Sequence, residues 1–314
     1  MKNPKVIVLI LSYNGKHLLK DSISSYLAND YDNFEVCVID NGSTDGTKEY
    51  VEKEFPTAKI LRTDVNLKYS GGFNFGLRYA FDESQSDFVL ITNNDVKADH
   101  KVISSLVDVA ITDDTIGFVI GKVYYYDRPD ILQTVGKGYD PVLWNTGHIG
   151  RHEKDVGQYD EIEERSLCDD IFWLVSKEVY KSTGAYDTEF AFQSEDFDWQ
   201  VRAKQAGFRI MYTPHAKIWH KESMTIGKDS PFKAYYDARN PLIIHMKYRT
   251  PEQFRIVLYR SFKNNLHLTF RQFMKFKWLY AIKVWQGFFS GLRWGIRNQI
   301  LTRNHLLSNF HILK

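Results

Sequence analysis

Apolar residues run almost unbroken over residues 5–12 (Lys-Val-Ile-Val-Leu-Ile-Leu-Ser) and, apart from Glu35, over residues 34–39, where Asp40 closes a segment of residues 34–40. Continuous runs of this length, rather than alternating ones, predict strands buried on both faces. Between them Leu18, Leu19, Ile23 and Tyr26-Leu27 recur at helical spacing over residues 16–29. The order then repeats. A helix capped by Ser43 or Thr44 runs through about Phe55. A short strand follows over 59–62, a helix over 71–83 and a fourth strand over 87–92. Strands alternating with helices imply βαβ units around a mostly parallel sheet, an α/β fold.

After residue 121 the pattern loosens. Residues 125–165 are rich in Gly, Asp and Tyr without a clear period, which predicts either a long loop or a small antiparallel excursion. Regularity returns over 171–176. A helix starts near Ser194 or Glu195 and runs through Arg202 to Ala206, with Gly207 as its stop; a strand over 208–212 is limited by Pro214. From Pro231 onward the texture changes: Phe254, Val257, Leu258, Ser261, Phe262 and Leu266 form an apolar face at helical spacing, and residues 275–297 repeat it with more aromatics. This divides the chain into residues 1–230, with halves of about 1–121 and 122–230, and a helical extension over 231–314.

Charge sharpens that boundary. The whole chain carries a net +2, yet residues 231–314 hold 15 Lys/Arg against 2 Asp/Glu, a balance of +13, and 17 of the 47 aromatic residues. Such a split calls for an anionic partner. Aromatics on one helix face and Lys/Arg on the other predict contact with an anionic membrane surface, with packing against the rest of the protein as the alternative. No nucleic-acid recognition motif accompanies the basic tail, so a nucleic-acid partner is not expected. The start Met1-Lys2-Asn3-Pro4-Lys5 carries no signal-peptide pattern and no apolar stretch of 18 residues occurs. The two cysteines, Cys37 and Cys168, make no disulfide framework. The expectation is a cytoplasmic protein at the inner face of the cell membrane.

Five polar clusters carry the chemistry. Asn93-Asn94-Asp95 follows the fourth strand, where open α/β sheets bind ligands. In an extended segment Asn93 and Asp95 face one side. One carboxylate plus diphosphate oxygens suffices for a hard cation such as Mg²⁺ or Mn²⁺, and His220, after Trp219, adds an imidazole that suits Mn²⁺ better. At the end of the second strand Asp40 can accept from a base N–H or a ribose hydroxyl, with Ser12, Tyr13 and Asn14 lining the same crevice. Asn66 through Asn74 places Gly71-Gly72 before a helix, allowing close approach of a ligand to a helix N-terminus; it is neither a dinucleotide fingerprint nor a Walker loop. Ser194-Glu195-Asp196-Phe197-Asp198-Trp199 puts three carboxylates at a helix start. An Asp198–Arg202 brace leaves Glu195 or Asp196 as a general base, framed by Phe190, Phe192, Phe197 and Trp199. Singly, each cluster also fits an ordinary turn, an acidic helix start or a packed histidine. Together they are the inventory for a metal-bound diphosphate and an acceptor hydroxyl.

In order along the chain, Val-Ile-Val-Leu-Ile-Leu-Ser-Tyr-Asn-Gly, Val-Ile-Asp-Asn-Gly-Ser-Thr-Asp-Gly-Thr, the segment Asn66–Gly76 (with Lys68 where a Gly is usual), Asn93-Asn94-Asp95, Ser-Glu-Asp-Phe-Asp-Trp-Gln-Val-Arg, His220-Lys221-Glu222-Ser223 and Tyr236-Asp237-Ala238-Arg239-Asn240 resemble family 2 glycosyltransferases of the GT-A fold. The Asn-Asn-Asp form resembles the rhamnosyltransferase-like members, and the likeness covers about residues 4–245. It implies a GT-A domain with a nucleotide-sugar half and an acceptor half. It also implies inverting transfer from a nucleotide-diphosphate sugar, dTDP-rhamnose or a UDP-sugar foremost, to a glycan or polyprenyl-linked acceptor in surface polysaccharide or cell-wall synthesis. Ser12, Asn14 and Asp40 would hold the nucleoside, with Asn66, Gly71, Gly72, Asn74 and Asn94 in the nucleotide-sugar site. Asp95, Asn93 and His220 would hold the divalent metal. Asp196 would be the base, with Glu195 second or as its orienting partner. Two other readings stand beside it. A nucleotidyltransferase shares the nucleotide and metal chemistry, but its Gly-rich, Arg/Lys-bearing loop is missing here. An inactive sugar-nucleotide-binding scaffold subunit does not need the intact Glu195-Asp196 and His220.

Overall fold

A computed structural model describes residues 3–140, 144–221, 230–298 and 300 of the chain. They form two compact units. The first holds the described residues up to Ala191 and again from Glu195 to Lys221; the second holds Phe192–Ser194 and the described residues from Ser230 onward.

The first unit opens with β1 (Val6–Ser12), α1 (Leu19–Leu27), β2 (Phe34–Asp40), α2 (Thr47–Glu54), β3 (Lys59–Arg62), α3 (Lys68–Arg78), β4 (Phe88–Asn93), β5 (Val96–Ala98) and α4 (Val102–Ala110). Strands β3, β2, β1 and β4 are parallel neighbours in that order, with Leu9 opposite both Cys37 and Ile91. Val6, Val8 and Ile10 face one core with Ile23, Ile103 and Leu106; Ile7 and Leu9 face another with Phe73 and Leu77. Burial on both faces is why these strands read as continuous apolar runs.

The chain continues through β6 (Ile116–Tyr125), β7 (Arg128–Thr134), β8 (Lys137–Asp140), β9 (Trp144–His148), β10 (Glu163–Glu164), β11 (Phe172–Ser176), α5 (Lys177–Thr183), α6 (Glu195–Gln205) and β12 (Arg209–His220). Strand β11 is antiparallel to both β4 and β6, and β12 runs parallel to β6. Of the two expectations for residues 125–165 the antiparallel excursion is the one found: β7 folds back on β6, and β8 pairs with β9.

Three local expectations are corrected. Helix α2 starts at Thr47 behind Gly46, whose φ is 81°, because Ser43 and Thr44 are engaged elsewhere: Ser43 Oγ accepts the Asn14 N–H, and the Thr44 N–H donates to Asn14 Oδ1. Pro214 does not end the strand; the register of β12 shifts between Tyr212 and Lys217, where a residue without an N–H is tolerated, and the strand runs on to His220. Helix α3 begins at Lys68, so Gly71 and Gly72 lie inside its first turns. A Cβ on Gly72 would stand 2.6 Å from Leu11 Cδ1 and 2.9 Å from Asn41 Nδ2, and one on Gly76 2.4 Å from Ile39 Cδ1. These two glycines bring α3 close to the sheet rather than a ligand close to the backbone.

The second unit is α7 (Pro231–Tyr248), α8 (Pro251–Phe273) and α9 (Trp278–Arg297). Pro231 and Pro251 open their helices, and Thr250 with Gln253 closes a capping box on α8. Helix α9 reaches the backbone of α7 through Gly287, where a Cβ would stand 2.1 Å from Tyr235 O. Asn240 is fully buried and donates to Phe192 O at 2.8 Å and Gln193 O at 2.6 Å. Phe254, Val257, Val284 and Phe288 face inward, whereas Tyr259, Leu266, Phe270, Phe273, Met274, Phe276 (78% exposed) and Leu279 face out. No helix among the described residues is long and apolar enough to cross a membrane.

Candidate active site

The strand ends of β1, β2 and β4 converge as the sequence implied, but not every polar group there is open to a ligand. Asp40 is fully buried. One oxygen accepts the Ser43 N–H at 2.9 Å and the other pairs with Arg62, which also donates to Ser43 O. Direct contact with a nucleoside is therefore not what Asp40 offers; it braces the turn that carries Ser43. Asn41, passed over in the sequence, is the hub of the crevice floor: its Nδ2 donates to Asn66 Oδ1 and Lys68 O, and its Oδ1 accepts the Leu67 N–H and the Thr63 hydroxyl. Asn66 is thereby a loop brace. So is Asn74, whose amide exchanges hydrogen bonds with the backbone of Tyr186 in both directions. Asn94 Nδ2 lies 3.5 Å from Ser12 Oγ, and both residues are buried. Asn14, at φ 50°, is exposed at the rim.

Asp95 and His220 meet. Their chain segments are joined by β5–β12 pairing, with His220 opposite Val96, and by the Lys221 N–H donating to Asp95 O at 3.0 Å. His220 Nε2 stands 3.2 Å from Asp95 Oδ1, with both side chains buried. Nδ1 of the same ring lies 2.9 Å from Gln133 Oε1 on β7. A carboxamide oxygen only accepts, so Nδ1–H is the donor to Gln133, and Nε2 is the ring nitrogen turned toward Asp95. Asn93 closes β4 just before Asp95. A turn at Asn94–Asp95 interrupts the extended segment, and the backbone of Asn93 is taken up by Ile171 O and the Ser22 hydroxyl. Among the described residues no group of three or more His, Cys, Asp or Glu is close enough to hold an ion; Asp95 and His220 form a two-residue edge.

Around the start of α6 the acids are more numerous than the sequence motif. Asp169 and Asp170 precede β11, and Lys137 on β8 reaches Asp169 Oδ1 at 2.7 Å and Asp196 Oδ2 at 3.2 Å. Burial works against charge on Asp169, but Lys137 and His148 hold its carboxyl well below the usual range. Asp170 accepts from the Tyr186 hydroxyl at 3.0 Å and from Tyr69. Burial, then the neighbouring Asp196, still push Asp170 up to about 8. Burial, then Asp170 and Asp196, raise Glu195 well above its ordinary value, and its Oε2 is buried without a hydrogen-bond partner. Asp198 is spent in the expected brace to Arg202, at 2.7 Å. The aromatic frame also differs. Trp199 is core, packed on Phe118, Trp173 and Tyr186, and the rings that touch the acids are Tyr69 and Tyr186. Lys137 carried no signal in the sequence because it lies in the stretch without periodicity; Asp169-Asp170 was visible only as charge ahead of an apolar strand.

The raised Asp170 predicts a pH dependence of stability. A carboxyl that keeps its proton to about 8 when folded, against 3.8 as its ordinary value, binds more protons folded than unfolded over that window. Its stabilising contribution is complete at the acid end and is lost as pH rises toward 8. Asp170→Asn should therefore gain thermal stability relative to the natural chain as pH rises from about 4 to 8. A melting-temperature difference that stays constant over that range would show that Asp170 titrates normally.

Known proteins share this architecture. A model of the family described as Glycosyl transferase family 2 matches residues 7–183. The poly-beta-1,6-N-acetyl-D-glucosamine synthase of Staphylococcus aureus (strain COL) is 22% identical over 286 residues, 90% of this chain but 64% of that protein; the chain thus spans less than two thirds of that relative's length. The N-acetylglucosaminyl-diphospho-decaprenol L-rhamnosyltransferase of Mycobacterium tuberculosis (strain H37Rv) is 27% identical over 248 residues, 71% of this chain and 78% of that one. Among solved structures, a mannosyltransferase from Pyrobaculum calidifontis in complex with GDP-Man and Mn²⁺ superposes with a TM-score of 0.54 at 15% identity, covering 98% of this chain and 83% of the other. GalNAc-T7 with UDP, GalNAc and Mn²⁺ gives 0.56 at 14% identity, covering 76% and 51%. These likenesses establish the GT-A fold, and the family match over more than half its length shows that the chain belongs to glycosyl transferase family 2.

Proposed function

We propose that the chain is an inverting, metal-dependent glycosyltransferase. It moves a sugar from a nucleotide-diphosphate sugar, dTDP-rhamnose or a UDP-sugar foremost, to a glycan or polyprenyl-linked acceptor in cell-wall or surface-polysaccharide synthesis. The observation that carries this reading is the buried Asp95–His220 edge at the end of β4 and β12. The 3.2 Å between Asp95 Oδ1 and His220 Nε2 is close enough for both atoms to hold one cation. Gln133 fixes the tautomer that leaves Nε2 available. A divalent cation held by Asp95 and His220, with Asn93 as a further candidate ligand, would supply positive charge that stabilises the departing nucleoside diphosphate.

The chain's own groups do the rest. The loops after β1 and β2, with Ser12, Asn14, Asn94 and the Ser43 turn braced by Asp40, hold the nucleotide. Asp196, ion-paired with Lys137, takes the proton of the acceptor hydroxyl as that oxygen attacks the anomeric carbon in line, inverting it; Glu195, held neutral, orients the acceptor. The acceptor class is supported by the mycobacterial relative, whose name specifies a decaprenyl-linked one. A screen tests this reading: thermal shift with UDP-, dTDP- and GDP-sugars, with and without Mn²⁺ or Mg²⁺. The expected result is a metal-dependent rise with one nucleotide class. Equal shifts in the presence of a chelator would contradict the metal.

The same proposal includes peripheral contact with an anionic membrane, at the cytoplasmic face. Its support is the +13 balance of residues 231–314 together with the outward Phe270, Phe273, Phe276 and Leu279 of the second unit. A second copy of the chain on this face would set like charge against like. Phe276→Asp combined with Leu279→Asp should cut co-sedimentation with anionic vesicles by at least tenfold and leave the melting temperature in place. Undiminished co-sedimentation would sink the interfacial assignment.

A further inference from the structure

Lys137 is pinned from both sides. Across β8–β9 it lies opposite His148, and on its other side its N–H donates to Leu167 O at 2.9 Å. Its ammonium is thereby fixed between Asp169 and Asp196, with side chains only 12% exposed at Lys137 and Asp196 and 17% at Asp169. The second Asp169 oxygen faces His148 Nδ1 at 2.9 Å. A buried ammonium so held is costly unless its partners are charged. Of the four acids here, burial favours the protonated form of Asp170 and Glu195, and the two that contact the lysine are Asp169 and Asp196.

We propose that Lys137, anchored by Asp169 and His148, is a positioning residue for the base: it grips Asp196 by Oδ2 so that the other carboxylate oxygen is the one presented to the acceptor hydroxyl. The inference rests on Asp196 being that base. It assigns a role to the excursion between β6 and β11, which supplies the cation that orients a carboxylate on α6. The groups facing Asp196 are Lys137 from β8, Asp169 and Asp170 from the segment before β11, Glu195 from α6 and Tyr69 from α3. His148 from β9 acts through Asp169. Among the described residues Lys137 is the cation that contacts Asp196, so its removal should make proton binding at the base easier.

The test uses the full chain and follows nucleoside diphosphate release from UDP- and dTDP-sugars against pH, with water as the acceptor whose proton is taken. Lys137→Met should lower release at neutral pH by tenfold or more, and move the acid limb of the profile up by about one to three pH units. The metal-dependent thermal shift with donor should be unchanged. Lys137→Arg should restore most of the rate and the original limb. Superimposable profiles for Lys137→Met and the natural chain, with Asp196→Asn inactive, would overturn the proposal and leave the base assignment standing. Full activity in Asp196→Asn would remove the base itself. Where Lys137→Met does not fold, His148→Gln, at a side chain 27% exposed, serves instead: a smaller shift of the limb in the same direction supports the relay, and an unmoved limb overturns it.

Discussion

Asp196→Asn should lower sugar transfer by about 10²–10⁴-fold, the range expected when a positioned general base is lost, while donor affinity stays within a factor of about two. The change is isosteric, and its carbonyl can still accept from Lys137, so the ammonium does not lose its partner altogether. The Asp95–His220 edge is built by β4, β5, β7 and β12 and does not depend on α6. Glu195→Gln is the control. Glu195 is raised by burial, Asp170 and Asp196, which favours its protonated form, so the variant loses little proton-accepting capacity. It should reduce transfer mainly through acceptor KM, with kcat less affected. Intact turnover in Asp196→Asn and a dead Glu195→Gln would exchange the two roles.

Asp95→Ala should abolish the metal-dependent part of donor binding altogether. The backbone carbonyl of Asp95, which accepts from Lys221, is kept, so β12 stays in place. Gln133→Leu should weaken Mn²⁺ affinity by about 10–100-fold, because it removes the hydrogen bond that orients the His220 ring without removing a ligand. Mn²⁺ binding followed by electron paramagnetic resonance measures both without any sugar present. Equal Mn²⁺ affinity in Asp95→Ala and the natural chain would move the metal elsewhere.

Much of the architecture was legible because the physics that makes a strand buried on both faces also makes it continuous in sequence. β2 and β3 have the boundaries read from the sequence, β1 and β11 start one residue later than read, and β4 is shifted by one residue at both ends. The placement of Asp95 and His220 at strand ends and of Asp196 at a helix start was legible because the apolar runs locate those ends. What escaped depends on contacts distant in the chain. Pro214 punctuates a strand locally, yet a register shift in the pairing with β6 absorbs it. Gly71-Gly72 has the composition of a phosphate loop, but the fit of Gly72 against Leu11 and Asn41 appears only once α3 lies on the sheet. Asp40 reads as a free carboxylate until β2–β3 pairing sets Arg62 beside it. Lys137 and Gln133 sit in a stretch whose short, irregular strands leave no period to detect.

The most direct test of the central claim is nucleoside diphosphate release from a panel of UDP-, dTDP- and GDP-sugars, measured with Mn²⁺, with a chelator, and with Mn²⁺ restored. The account predicts release from one nucleotide class, lost with the chelator, regained with Mn²⁺ and absent in Asp95→Ala. Donor binding without release under every condition, with vesicle-borne polyprenyl acceptors supplied, would contradict catalysis and leave a sugar-nucleotide-binding subunit.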